Sequence, residues 1–116
     1  MKVNVINLTP HDINLVNEVG EIIRTFPGTD SPARCATYRE KIMDLHIEGV
    51  EVPTPLYSTT FGEVENLPAP IEGVRYIVSN TVAQAFKGKR YDLIIPDAIV
   101  RNKAGNIIGC KAFATV

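Results

Sequence analysis

The sequence predicts an α+β fold, mainly antiparallel β, with one well-defined helix at about residues 80–86 and a C-terminal hairpin. Apolar and polar residues alternate with a period of two along most of the chain, as they do in half-buried strands. The Ser79-Asn80 pair before the helix and Gly88 after it supply its N-cap and its stop. Two strand-like runs on either side of Lys103-Ala104-Gly105 indicate the hairpin.

The first half of the chain is predicted as short strands joined by turns. Strand-like alternation covers residues 2–7, 12–16 and 21–26, with breaks at Thr9-Pro10-His11, Val19-Gly20 and Pro27-Gly28. Residues 33–48 fit both a helical face and a strand, and the β-favouring composition of their first part favours strands. Residues 56–61 are rich in β-formers, and residues 65–73 form a loop that contains two prolines.

The second half alternates a strand, the helix and further strands. Residues 74–78 are apolar and β-rich, and residues 91–95 resume that pattern after the helix. Such a succession permits a parallel crossover, although the connection is short for one. Residues 98–102 and 106–113 then pair as the C-terminal hairpin, with Gly105 where a positive φ is needed.

Length, composition and charge bound the class of protein. The 116 residues, 45% of them hydrophobic, are expected to form a single domain over 1–116. No apolar run approaches the roughly 20 residues of a membrane-spanning helix, and the alternating start is not that of a signal peptide, so a membrane is not an expected partner. A net charge of −1 argues against long nucleic acid. Residues 75–111 hold seven basic residues and two acidic ones, a concentration of charge that suits a small anionic ligand better than a long polyanion, with a solvated surface as the alternative.

No short catalytic or metal-binding motif is present, which makes an enzyme the weaker hypothesis, and no cofactor or metal is expected. Cys35 and Cys110 have no zinc-like spacing, and Glu63 and Glu65 are interpreted as solvated charges. Asn7-Leu8-Thr9-Pro10-His11 is interpreted as a strand bend that satisfies local backbone groups, with a ligand contact by His11 as the alternative. A hydrolase would have to use His11 or His46.

The residues that best suit ligand binding combine arginines with an aromatic ring. Arg90 and Arg101 offer planar forks that match phosphate oxygens, and Phe61 ends a polar run where its face could stack a nucleobase. Asn80 opens the predicted helix, whose free N–H groups could hold a phosphate. The competing interpretation is that most of the aromatic residues are core.

Several segments, taken in order along the chain, resemble a family of short proteins encoded by phages and prophages. They span nearly the whole chain: residues 7–13 (NLTPHDI), 62–70 (GEVENLPAP), 76–79 (YIVS), 82–85 (VAQA), 100–102 (VRN) and 105–110 (GNIIGC). The family is similar to the Thoeris anti-defence sponges, which bind cyclic ADP-ribose signals without cleaving them. Some members hold cyclic oligonucleotides in separate pockets.

The resemblance implies a homo-oligomeric, non-enzymatic binder of cyclic ADP-ribose-type signals in the cytoplasm of a bacterial host. In such a pocket an aromatic ring stacks the adenine and arginines hold the pyrophosphate. The positions that suit those roles are Phe61 for stacking and Arg90 and Arg101 for phosphate, with Arg39 and Asn80 as weaker candidates. Two alternatives stay open: a hydrolase or phosphodiesterase of the same signals, and a structural or protein-interaction phage protein.

Overall fold

A computed structural model describes residues 2–116, and half of the chain lies in eight β-strands. The strands and the helix, in chain order, are β1 (Asn4–Asn7), β2 (Ile13–Val16), β3 (Ile22–Phe26), β4 (Arg34–Leu45), β5 (Thr54–Glu65), β6 (Val74–Ile77), α1 (Asn80–Ala85), β7 (Leu93–Arg101) and β8 (Ile107–Ala114). Six strands form one sheet in the order β1-β6-β7-β8-β2-β3, and β4 and β5 form a separate two-stranded sheet.

The large sheet is mixed and curls towards a barrel. β1 pairs with β6, β6 with β7 and β2 with β8 in parallel, whereas β7 with β8 and β2 with β3 are antiparallel. The two outer strands, β1 and β3, approach each other at their ends. There the side-chain amide of Asn7 donates to the carbonyl of Phe26 at 3.0 Å, so one side-chain bond links the two edges of the sheet.

The predicted fold class is wrong in its weighting. The chain is 50% strand and 5% helix, a β-rich barrel-like sheet with one short helix in the described residues, and a well-defined helix is not supported. The predicted N-cap is confirmed, because the Ser79 hydroxyl accepts from the amide of Val82, but α1 ends after six residues with Phe86, not Gly88, at its C-cap. Three of the six strand pairings are parallel, and one of them, β6 with β7, is made by the short crossover through α1. No helix within residues 2–116 is long and apolar enough to cross a membrane.

The core lies on both faces of β6, the strand next to the outer strand β1. Tyr76 and Val78 face one side, where the α1 residues Val82 and Ala83 cover them. Ile77 faces the other side and packs with Phe26 and Ile94, a cluster against which Phe113 packs as well. Because successive residues of a strand point to opposite faces, this one segment supplies both clusters.

The strands β4 and β5 form a long hairpin, here called the arm (residues 34–65), which projects from the sheet. Its 12-residue strands are exposed along most of their length. The Cα radius of gyration is 18.0 Å, whereas a compact chain of this size has about 13 Å. This exposure explains the ambiguity of residues 33–48, because a segment that buries neither face shows no clear periodicity. The strand interpretation is confirmed, as is the C-terminal hairpin formed by β7 and β8.

Candidate functional site

A cleft opens where the arm meets the helix, and we call it the arm-root cleft. Its volume is about 460 Å³, within the range of small-molecule sites. Residues of β5, of α1 and of the turn that follows the helix line it: Thr59, Thr60, Phe61, Gly62, Val64, Ala85, Phe86 and Lys89. The cleft therefore combines two phenyl rings, two hydroxyls and one primary amine.

Local hydrogen bonding places these groups. Phe61 pairs with Thr37 in the arm and is 44% exposed, so its ring is available to a ligand. Phe86 caps the C-terminus of α1 and packs against the core. The amide of Lys89 donates to the carbonyl of Phe86 at 2.8 Å, which turns the chain back beside the helix. The basic turn after α1 is thus held next to both rings.

A second recess, the basic cleft, lies on the other side of Lys89 and has a volume of about 500 Å³. Its lining includes three cations and two carboxylates: Arg75, Lys89, Arg90, Glu72 and Asp92. Lys89 lines both recesses. Lys89 thus places one cation at the border of the aromatic cleft and the basic cleft, an arrangement that suits a ligand with one flat end and one anionic end.

Arg90 lies in the basic cleft but is engaged by the protein. Its Nε donates to Oδ1 of Asp92 at 2.8 Å and its Nη2 donates to Oδ2 at 2.7 Å, with a further bond to the carbonyl of Pro68 at 3.1 Å. The hydrogen bonds from Arg90 lower the pKa of the Asp92 carboxyl, and the same bonds raise the pKa of Arg90. The guanidinium carbon is 5.9 Å from the centre of the Phe86 ring. Arg90 therefore anchors the wall between the two recesses.

Arg39 and Phe61 lie on the same face of the arm. Thr37 pairs with Phe61 and Arg39 with Thr59, so residues two apart along each strand share this side. The guanidinium of Arg39 stacks 4.0 Å from the centre of the Tyr57 ring. We call this side the cationic face; it comprises Thr37, Arg39, Lys41, Tyr57, Thr59 and Phe61, and Lys41 is paired with Asp44 at 2.8 Å. It extends the aromatic surface of the arm-root cleft outward along the arm.

Arg101 and Asn80 do not line the arm-root cleft or the basic cleft. Arg101 ends β7 at the hairpin turn, where its Nη1 donates to the carbonyl of Gly105 at 2.9 Å. Asn80 is the exposed first residue of α1, and the hydroxyl that caps this helix belongs to Ser79. The structure thus groups Phe61, Arg39 and Arg90 around one end of the arm and places Arg101 at a different turn.

The other sequence candidates have structural positions. Asn7 and Thr9 bond each other and the carbonyl of His11, which confirms the interpretation of this segment as a locally satisfied bend. His46 follows the end of β4, at the tip of the arm, and is exposed. Both cysteines are free, and burial raises the pKa of the Cys110 thiol. Glu63 and Glu65 are exposed. Within residues 2–116 no three His, Cys, Asp or Glu side chains cluster as metal ligands would.

Sequence reasoning did not select Phe86, Lys89 or Arg75. Nothing in the sequence distinguishes Phe86 from an aromatic core residue or Lys89 from the other cations after the predicted helix, since the sequence does not show that the turn folds back against β5. Comparison of the chain with protein-family models, curated proteins and solved structures finds no match. The geometry of the two recesses is therefore the observation on which a functional assignment depends.

Proposed function

We propose that the protein is a phage-encoded sponge that binds cyclic ADP-ribose-type signalling nucleotides and withholds them without cleaving them. The observation that carries the proposal is that Lys89 lines both the arm-root cleft and the basic cleft. The first offers the rings of Phe61 and Phe86 to an adenine, and the second offers cations to the pyrophosphate. The resemblance to the anti-defence family supplies the class of ligand.

The residue roles follow from which donors are free. Phe61 is the stacking residue, and Lys89, which lines both recesses, is the principal phosphate ligand. Arg39 supports the outer part of the ligand from the cationic face, and Arg90 acts chiefly by holding the cleft wall, since Asp92 and Pro68 engage two of its nitrogens. Neither Arg101 nor Asn80 lines the two clefts, so this proposal assigns them no role.

The energetics require a closed site. Stacking contributes about 1–3 kcal/mol per base, and a charge-assisted hydrogen bond contributes roughly 1.5–3 kcal/mol. A nanomolar sponge needs about −12 kcal/mol, which these contacts reach only where water is excluded. Both recesses are open in the single chain, so we propose that the working form is a homo-oligomer in the cytoplasm of the bacterial host, with the pocket closed by a neighbouring copy. Cyclic oligonucleotides are second candidate ligands.

The proposal is tested by titrating the protein with cyclic ADP-ribose isomers and cyclic oligonucleotides in a calorimeter, and then denaturing the complex and identifying the released nucleotide. Intact ligand supports capture. A new product identifies a hydrolase or phosphodiesterase and overturns the proposal. No heat with any nucleotide also overturns it, and then favours a structural or protein-interaction role.

A variant pair locates the binding. Lys89→Ala should weaken binding about 10-fold to 100-fold, the range for one charge-assisted contact, and should reduce the dependence of affinity on salt. Lys103→Ala is the matched control, because Lys103 is an exposed lysine in the turn between β7 and β8. Equal losses in the two variants would indicate general charge attraction rather than a site at the arm root.

A further inference from the structure

The arm has a second face that differs in chemistry from the cationic face. Tyr38 pairs with Thr60, Glu40 with Ser58, Met43 with Leu56 and Leu45 with Thr54, which places these residues together on the opposite side. We call this side the apolar face. Glu40 is the one charged residue among these pairs. The register shift between Lys41 and Met43 makes Ile42 the extra residue of a bulge, and Ile42 is exposed as well.

Exposed apolar residues are also present at the bulge and at the tip of the arm. Seven large apolar side chains on the apolar face, the bulge and the tip are 37–66% exposed: Tyr38, Ile42, Met43, Ile47, Val50, Val52 and Leu56. At about 100 Å² each, half of what a large side chain presents in full, they offer roughly 700 Å². That exceeds the few hundred Å² of contiguous apolar surface that a soluble monomer ordinarily exposes, so a partner is expected to cover it.

We propose that the apolar face of the arm is the contact surface for a second copy of this chain. Roughly 700 Å² per copy is close to the 800 Å² that each partner contributes to a standard stable interface. A two-fold axis across the arms would lay one apolar face on the other, and such a contact closes with two copies. Each strand of the arm is about 40 Å long at 3.3 Å per residue, which is long enough for the tip of one arm to reach the root of the other.

The residues on the free edges of the arm disfavour the alternative contact, in which the arms of two copies pair edge to edge. β4 carries Arg39, Glu40 and Lys41 in succession, and a two-fold pairing of β4 strands centred there would set Glu40 against its own copy and Arg39 against the partner's Lys41. Charges on an edge strand are the usual protection against such pairing. β5 carries Pro55, which has no N–H to donate. Face-to-face contact therefore remains as the way to bury the apolar residues.

The inference rests on the arm alone and does not require the proposed function. The test compares oligomeric mass by light scattering for the full chain and for the double variant Met43→Glu with Leu56→Lys. These two residues are register partners, so the new charges face each other and preserve the pairing of β4 with β5. The control, Ile23→Lys with Ile107→Glu, makes the same charge change at sites that are 59% and 60% exposed outside the arm.

We expect the wild-type chain and the control to scatter at twice 12.7 kDa or a multiple of that pair. The arm variant should scatter as a monomer with an unchanged circular-dichroism spectrum, its dimer weakened at least about 100-fold. X-ray scattering of that monomer should give a radius of gyration near 18 Å.

Three results would overturn the proposal. One is a wild-type monomer at about 100 μM, a concentration above the micromolar Kd of weak interfaces of this size. Another is an oligomer that the arm variant leaves intact. The third is equal dissociation of the arm variant and the control. Nucleotide binding by a wild-type monomer would retain the proposed capture of the nucleotide while excluding both the arm contact and the closure of the pocket by a neighbouring copy.

Discussion

The side-chain amide of Asn7 donates to the carbonyl of Phe26 at 3.0 Å and so connects β1 to β3, the two outer strands of the sheet. The same amide donates to the carbonyl of His11 at 2.7 Å, and its oxygen accepts from the amide and the hydroxyl of Thr9. Asn7 is buried, so these partners have no water to replace it. The NLTPH segment is therefore the closure of the barrel-like sheet.

Replacing Asn7 with alanine should destabilise the protein by about 2–4 kcal/mol, because several buried polar groups would lose their partner together. Urea unfolding followed by circular dichroism measures the change. Asn4→Ala is the matched control: Asn4 is exposed at the start of β1, and its loss should change stability by less than about 0.5 kcal/mol. Equal effects would mean that Asn7 does not close the sheet.

The Asp92–Arg90 pair should make stability depend on acid pH. The pKa of Asp92 is lowered by its bonds to Arg90, so its folded-state pKa lies below the unfolded value of about 3.9. The stabilisation is complete above that unfolded value and is lost as the pH falls through the folded pKa. Unfolding free energies measured from pH 7 to pH 2 should decline in this window, and Asp92→Asn should flatten the decline. If the Asp92→Asn variant kept the full decline in stability at acid pH, the decline would belong to other carboxylates.

Arg90→Ala and Arg101→Ala should separate a structural arginine from an exposed one. The side chain of Arg90 is 14% exposed and that of Asp92 is 9% exposed, so removing the guanidinium leaves a mostly buried carboxylate without its partner and should cost about 2–4 kcal/mol. Arg101 is exposed with one bond to a turn carbonyl, and its loss should stay within about 0.5 kcal/mol. Thermal melting measures both changes. Equal melting temperatures would show that the Arg90 pair contributes little.

Phe61→Leu should weaken nucleotide binding about 10-fold to 100-fold, since it removes the flat face but keeps an apolar side chain in the cleft. Phe61→Tyr is the matched control, because it retains the ring, and it should bind within about threefold of wild type. Calorimetric titration measures both affinities, and unchanged melting temperatures establish that the arm is intact. If the Phe61→Leu variant bound the nucleotide as tightly as the Phe61→Tyr variant, stacking at this position would be excluded.

Local signals in the sequence were sufficient for most strands and turns. Ser79 capped α1 where the sequence predicted, and the Lys103-Ala104-Gly105 turn joined the final hairpin. The predicted fold class was wrong because it gave too much weight to a six-residue helix. It was also wrong because the sequence does not show which distant strands pair. Nothing near β1 indicates that its neighbour is β6, about 70 residues later. Parallel pairing leaves no turn signal in the sequence.

The types of residue at the candidate site were predictable from the sequence, but their spatial arrangement was not. Phe61 was selected because it ends a polar run, and the structure places it beside a cleft. Arg90 was selected for its charge, but nothing in the sequence indicates that Asp92, two residues later, engages its guanidinium. Lys89 looked equivalent to Lys87 until the turn after α1 brought it against Phe86. Which of several equivalent cations faces a recess is decided by tertiary structure.

The pairing of β1 with β6 and of β2 with β8 also bears on when the sheet can form during folding. The Leu15–Cys110 partnership spans most of the described residues, and β1 pairs with a strand about 70 residues later, so neither parallel pairing can form until the distant strand has been synthesised. In residues 2–65 the pairings between neighbouring segments are those of β2 with β3 and of β4 with β5. With such distant pairings, folding is expected to be slow for a chain of this length.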